Sequence, residues 1–367
     1  MKPDVIVVGA GIVGAACAHE LARAGLDVLV LDAGLAGATG AGMGHLVLMD
    51  DNPAEMALCS ESLKLWDAWA PRMDADCAFT RCGTLWIATD DEEMRAAEDK
   101  LRRLRQGGVA CELLDAAALA EAEPTLRAGL AGGLRVPGDG ALYAPNAARW
   151  LLAHAPRPIA RETATVVEVA GYGVRLADGR WRDCGAVLLA AGIQAAQLCP
   201  ELPVRPKKGH LAITDRYPGT VHHQLVELGY VKSAHHAAGA SVAFNVQPRP
   251  TGQLMIGSSR QFDTTDPAVE PDMLGRMLRR SLDYLPGIAD LNVIRSWTGF
   301  RAATPDGLPV IGAHPRRDGV WLALGHEGLG VTTAPATARL LAAQLTRASL
   351  PFDSEPYSAE RFMEVTQ

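Results

Sequence analysis

The chain has 367 residues, 48% hydrophobic and 21% charged, ordinary proportions for a globular protein with apolar material for two domains. A net charge of −7 and a pI near 5.8 argue against a nucleic-acid partner, and no basic run suggests an anionic membrane surface. Seven scattered cysteines complete no zinc or iron–sulfur spacing, so reduced, mostly buried thiols, no metal and a cytoplasmic location are expected.

Asp4-Val5-Ile6-Val7-Val8 is a β-branched run, as for a strand buried on both faces, and is too short for a membrane span. It runs into Gly9-Ala10-Gly11-Ile12-Val13-Gly14, whose glycines do not read as a secretory leader. Ala15 to Ala24 is an alanine-rich helix closed by Gly25, and Asp27 to Leu31 a second buried strand ending on Asp32. Residues 54–70 predict a helix with Met56, Leu58, Leu63, Leu65, Trp66 and Trp69 as its apolar stripe. Residues 91–106 predict a charged helix whose Arg102, Arg103 and Arg105 form a solvated face. Glycines and prolines between 129 and 146 mark a crossover between domains.

Strands return at Ala164–Val169, Gly173–Leu176 and Ala186–Ala190, with turns at Gly171 and Asp178-Gly179. Antiparallel sheet is expected over 205–262, with strands at Gly209–Thr214, Ser241–Gln247 and Gln253–Ser258 and a turn at Pro248–Gly252. An amphipathic helix over 270–285, a strand at Gly319–Leu324 and an apolar helix at Thr332–Leu345 complete the pattern.

Gly9-x-Gly11-x-x-Gly14 follows a buried strand, opens a helix, and has an acid, Asp32, eighteen residues past its last glycine at the end of the next strand. Gly9 permits the turn, Gly11 lets the backbone approach a pyrophosphate, and Gly14 lets helix and strand pack closely. The helix N-terminus offers free N–H groups to phosphate, and Asp32 would accept from ribose hydroxyls. Three features favour FAD over NAD. The strand Ala186–Ala190 ends in small residues, Ala191-Gly192. Thr39-Gly40-Ala41-Gly42-Met43-Gly44 is a loop poor in side chains, suited to an extended cofactor passing over it. Gly325-His326-Glu327-Gly328-Leu329-Gly330 precedes the last helix, whose N-terminus could face the pyrimidine end of the flavin.

The expected fold class is α/β: a Rossmann-like FAD-binding domain, discontinuous over 1–80, 141–203 and 297–367. An α+β antiparallel-sheet substrate domain, 81–140 and 204–296, is inserted into it.

Val5 to Asp32, Ala41-Gly42-Met43, Val166 to Gly192 and Trp297 to Leu345, about half the chain, resemble the D-amino-acid oxidase superfamily, in the branch with glycine and sarcosine oxidases. Its most specific stretch is Thr298-Gly299-Phe300-Arg301-Ala302-Ala303-Thr304-Pro305-Asp306-Gly307-Leu308-Pro309-Val310-Ile311-Gly312. The resemblance implies that Arg301 clamps the substrate carboxylate, a task that also suits a planar guanidinium. It places Gly299 where sarcosine oxidase relatives carry a flavin-bonded cysteine, so FAD is expected to be non-covalent. It also implies cofactor contacts from Ala33, Val167, Leu329 and Val331 beside the residues above. The second arginine of glycine oxidase falls near Gly328, with Glu327 beside it, and its tyrosine is missing from Phe244-Asn245-Val246-Gln247.

A narrower resemblance, to the flavin β-subunits of hydroxyproline dehydrogenases and hydrogen cyanide synthase, rests on Gly42-Met43-Gly44-His45-Leu46, Asn245 to Pro250, Gly252 to Phe262 and Gly325 to Gly328. It implies 4-hydroxyproline, preferably the D form, or D-proline as substrate, with an electron-acceptor subunit or a homo-oligomer and peripheral inner-membrane association as further expectations. His45, His326 and Asn245 could orient the substrate amine or a ring hydroxyl while hydride passes from the α-carbon to flavin N5, giving an imine. Glycine or another D-amino acid as substrate, an NAD-dependent dehydrogenase, and an FAD-carrying subunit without catalysis of its own are the alternatives.

Overall fold

The computed structural model describes residues 2–229, 239–262 and 264–363. Val5–Val8, buried at every position, is the centre of a six-stranded sheet. The sheet's order is Val310–Ala313, Val320–Leu324, Ala186–Leu189, Val5–Val8, Val28–Asp32, Ala160–Thr163. All pairings are parallel except that of Val310–Ala313 with Val320–Leu324. Strand periodicity sends Val5 and Val7 to one face and Ile6 and Val8 to the other. The first face packs on helices Ile12–Arg23, Pro53–Trp69, Ala144–Ala153 and Gly330–Thr346. The second is covered by a three-stranded antiparallel sheet, Val166–Ala170, Gly173–Leu176 and Trp181–Asp183.

An eight-stranded sheet forms the other half, in the order Val293–Ala303, Arg205–Arg216, Gln253–Arg260, Ser241–Pro248, Gln224–Glu227, Thr84–Ala88, Gly132–Val136, Glu112–Asp115. It is antiparallel except where Gln224–Glu227 runs parallel to Thr84–Ala88, the seam between two chain segments that no hairpin joins. One face is apolar: Leu85, Leu225, Phe244, Val246, Leu254 and Ile256 pack on Met277 of helix Pro271–Leu282. The alternate residues of the same strands, among them Thr84, Gln224, Asn245 and Gln247, face the opposite way.

The charged helix spans Asp91–Gln106, as expected. Asp90 caps it by accepting from Glu93 N at 2.9 Å, and three acids in its first turn oppose two arginines in its last. The crossover segment holds more structure than its composition suggests. Gly132–Val136 is an interior strand, and a Cβ on Gly133 would lie 2.5 Å from Trp86 O. Glycine here permits close strand approach instead of a loop. The chain then returns through Gly140-Ala141, paired with His45-Leu46. All seven cysteines are free, and all but Cys82 are buried.

Candidate active site between the two sheets

Gly9 has φ +108°, and a Cβ on it would lie 2.5 Å from Ala190 O. A Cβ on Gly14 would lie 2.0 Å from Gly9 O, so helix and strand meet at a distance that only glycine permits. Asp32 accepts from Ala10 N and Gly34 N, both at 2.7 Å, and so pins the strand end to the turn. Thr39 Oγ1 accepts from Ile12 N at 2.9 Å, which lays the Thr39–Gly44 loop against the helix N-terminus. Gly330 opens the last helix with its Cβ position 3.7 Å from Val13 Cγ2, so the starts of two long helices converge. A Cβ on Gly34, Gly37, Gly40 or Gly192 would meet nothing within 4 Å, and the backbone there borders open space. A bare, N–H-rich groove with a carboxylate at its end fits an FAD dinucleotide. Gly9 to Gly14, Asp32, Ala33 and Thr39 would hold the adenosine and pyrophosphate, and Ala41 to Gly44 with Gly328 to Val331 the flavin end. Val167 lies on the small antiparallel sheet with its side chain half exposed, three residues after Ala164, whose N–H donates to Asp32 O at 2.9 Å.

Across the groove lies the polar face of the eight-stranded sheet. Gly299 pairs with Gly209 and Arg301 with Lys207, so these four residues share one face. A Cβ on Gly299 would lie 2.4 Å from Ala41 Cβ, and Trp297 Nε1 donates to Ala41 O at 3.0 Å. The flavin-side loop therefore rests directly on this strand. A Cβ on Gly209 would lie 2.7 Å from Arg301 Nη1, which donates to Ser259 O at 3.1 Å. Gly328 also borders this side chain, its Cβ position 3.8 Å from Arg301 Nε, an ordinary contact. The bare Gly209 thus makes the room that the guanidinium occupies.

His45 sits on the strand leaving the flavin-side loop. Thr332 Oγ1 donates to His45 O at 3.0 Å and accepts from Val47 N at 3.2 Å, which binds this strand to the start of the last helix. Its Nε2 is buried with no hydrogen-bond partner among the described residues, as is Asn245 Oδ1. Burial, aided by the charges of Arg249 and Arg301, pulls the imidazole down to about 3, so the ring is neutral at working pH. Asn245 stands opposite Gly257, over whose Cβ position Met43 Sδ lies at 2.9 Å. His326 has a different setting. Its Nε2 lies 3.0 Å from Thr337 Oγ1 within the last helix, and burial lowers it to about 3.

Three cations emerge here that sequence reading did not assign. Arg249 Nη2 donates to Met43 O at 2.6 Å, fastening the loop, and burial lowers it to about 10. Lys207 forms an ion pair with Glu327 at 2.5 Å, and Arg260 acts on the same carboxylate. Burial pushes the Glu327 carboxyl up, yet Arg301, Lys207 and Arg260 together hold it down at about 2. The sheet register sets Lys207 opposite Arg301, and Arg260 acts on the shared Glu327 carboxylate from a strand further along the sheet. Away from this site, Cys199, Glu201 and His314 approach one another within 4.8 Å, with Glu201 already paired to Arg317 at 2.8 Å.

Comparison with known proteins agrees with this geometry. Residues 4–344 match the family model described as "DAO: FAD dependent oxidoreductase". The chain is 30% identical to glycine oxidase of Geobacillus kaustophilus, covering 98% of this chain and 97% of that protein. It is 26% identical to hydrogen cyanide synthase subunit HcnC of Pseudomonas aeruginosa, covering 98% and 96%. The crystal structure of the Geobacillus kaustophilus glycine oxidase superposes with a TM-score of 0.87 at 27% identity, covering 98% of this chain and 99% of that one.

Proposed function

The chain belongs to the DAO family of FAD-dependent oxidoreductases, and on that premise we propose that it oxidises a small amino or cyclic imino acid beside its carboxylate. The preferred substrate is 4-hydroxyproline in the D form, or D-proline. The observation that carries the reading is the placement of Arg301 against Gly209, on the sheet face that meets the flavin-side loop. Bound FAD supplies a two-electron acceptor for the substrate hydride.

The protein's own residues bind and orient. Arg301 takes the carboxylate, which fixes the position of the α-carbon. His45 and Asn245 offer unpartnered polar atoms to the amine, and neutral His45 adds no charge that would oppose its deprotonated form. The neutral amine is the reactive one, because its lone pair forms the C=N bond as the α-hydrogen departs with its electron pair. The protonated imine then loses its N–H proton. Glu327, held near 2, is too weak a base to take part in that transfer.

A panel of D- and L-amino and imino acids, scored by bleaching of the yellow protein without oxygen, tests this. Bleaching by D-proline and its 4-hydroxy derivative is the expected result, and no bleaching by any amino or imino acid removes the proposal. HcnC is named as a subunit, which supports passage of electrons to a partner chain. Among the described residues no helix is long and apolar enough to cross a membrane, so such a partner would be met without a helical anchor from those residues.

A further inference from the structure

Glu327 has φ +47°, a left-handed conformation that residues with side chains adopt at a cost. Glycine would sit there without strain, so the position keeps its carboxylate against a local backbone preference. The residue is also held firmly. Its N–H donates to Ala302 O at 2.9 Å, next to Arg301, and its Oε2 accepts from Gly328 N at 2.6 Å. Its Oε1 meets Lys207 Nζ at 2.5 Å, and the Phe262 ring centroid lies 5.0 Å from that same nitrogen. Lys207 and Glu327 expose only 12% and 24% of their side chains. An ammonium, a carboxylate and an aromatic ring therefore stand together at the Arg301 end of the polar sheet face.

The geometry points to the Lys207–Glu327 pair as the specificity-determining element of the site, recognising a hydroxyl on the ring whose carboxylate Arg301 holds. This rests on the cyclic imino acid reading above. A hydroxyl both donates and accepts, and the pair offers an acceptor beside a donor. A substrate ammonium is not its productive partner, because oxidation needs the neutral amine and an ionised carboxylate would favour the protonated one. An acidic side chain would confront Glu327, and a basic one Lys207. A plain ring would press methylene groups against a largely buried ion pair and strip the hydration it keeps without replacing it, which is how a polar site disfavours an analogue lacking a hydroxyl.

The test compares anaerobic flavin reduction by 4-hydroxy-D-proline and D-proline in the FAD-loaded wild type, Glu327→Gly, Glu327→Gln and Lys207→Met. Visible absorbance reports the FAD content of each. The wild type is expected to favour the hydroxylated ring by at least about tenfold in kcat/KM. In Glu327→Gly, which suits the left-handed backbone, the ratio should fall towards one, chiefly through the hydroxylated substrate. Lys207→Met should lower it too, and Glu327→Gln, which keeps an acceptor, less so. A ratio that persists in Glu327→Gly overturns the inference. An equal loss on both substrates also does, since it would make Glu327 only a support for Arg301. If neither ring reduces the wild type, the proposed function itself fails, a result distinct from either of these.

Discussion

Gly209 and Arg301 occupy adjacent strands so closely that any side chain at 209 would lie within 3 Å of the guanidinium: its Cβ would be 2.7 Å from Nη1 and 2.9 Å from Nη2. The arginine is placed by an absence of side chain as much as by its bond to Ser259 O.

Gly209→Ala should therefore displace Arg301 without touching the dinucleotide groove. The expected result is a loss of about 10²-fold in kcat/KM with FAD content retained, the scale of a misplacement of about 1 Å. Arg301→Ala should lose at least as much. Steady-state kinetics on yellow, folded protein checks both, and normal turnover by Arg301→Ala would remove its carboxylate role.

Gly14→Val should give colourless protein. Its Cβ would sit 2.0 Å from Gly9 O, and the helix can yield only by backing away from the strand and opening the phosphate cradle. Overpacking of this kind costs about 1–3 kcal/mol, enough to release a non-covalent cofactor before the fold is lost. The ratio of visible to ultraviolet absorbance after gel filtration measures it. A variant with full FAD content would contradict the cradle.

Asp139 gives a pH-dependent prediction. It is fully buried; its Oδ1 accepts from Leu48 N at 3.0 Å, and its Oδ2 has no partner among the described residues. Burial raises it to about 7, more than the nearby Thr84 hydroxyl, the Leu48 N–H and the charges of Lys100 and Arg81 can offset. With a folded pKa above the unfolded one, the native state holds a proton that the unfolded chain has lost. Stability from this group is complete below about 4 and declines as pH rises through 7. Asp139→Asn keeps an acceptor without the ionisation. It should raise Tm more at pH 8 than at pH 5, and equal shifts at the two values would refute the account.

Much of the fold was legible because its rules are local. Helix Asp91–Gln106 carries its own cap and charge gradient, and its bounds matched expectation. Strand Arg205–Arg216 proved longer than Gly209–Thr214, since Pro206, Lys207 and Lys208 break the apolar alternation that marks a strand. Strand Gly132–Val136 carries the glycine pattern of a crossover, and only its neighbours show that its glycines serve close packing. The arginine of the site was legible from its motif, but its surroundings were not. Glu327 and Arg249 lie 26 and 52 residues from Arg301 in the chain, and nothing in their own segments ties them to it.

The sequence by itself determined the dinucleotide cradle, because strand, glycine turn, helix and ribose acid follow one another within 32 residues and each is dictated by its neighbours. Only the tertiary structure decided the substrate end. There Arg301 stands opposite Lys207 through strand register, and Glu327 arrives on a separate loop bonded to Ala302 O. The strand of His45 is tied to the last helix through His45 O, and Arg249 holds the loop before it. Register and packing bring charges from distant segments into one low-dielectric space, and no pattern of neighbouring residues records which charges will meet there.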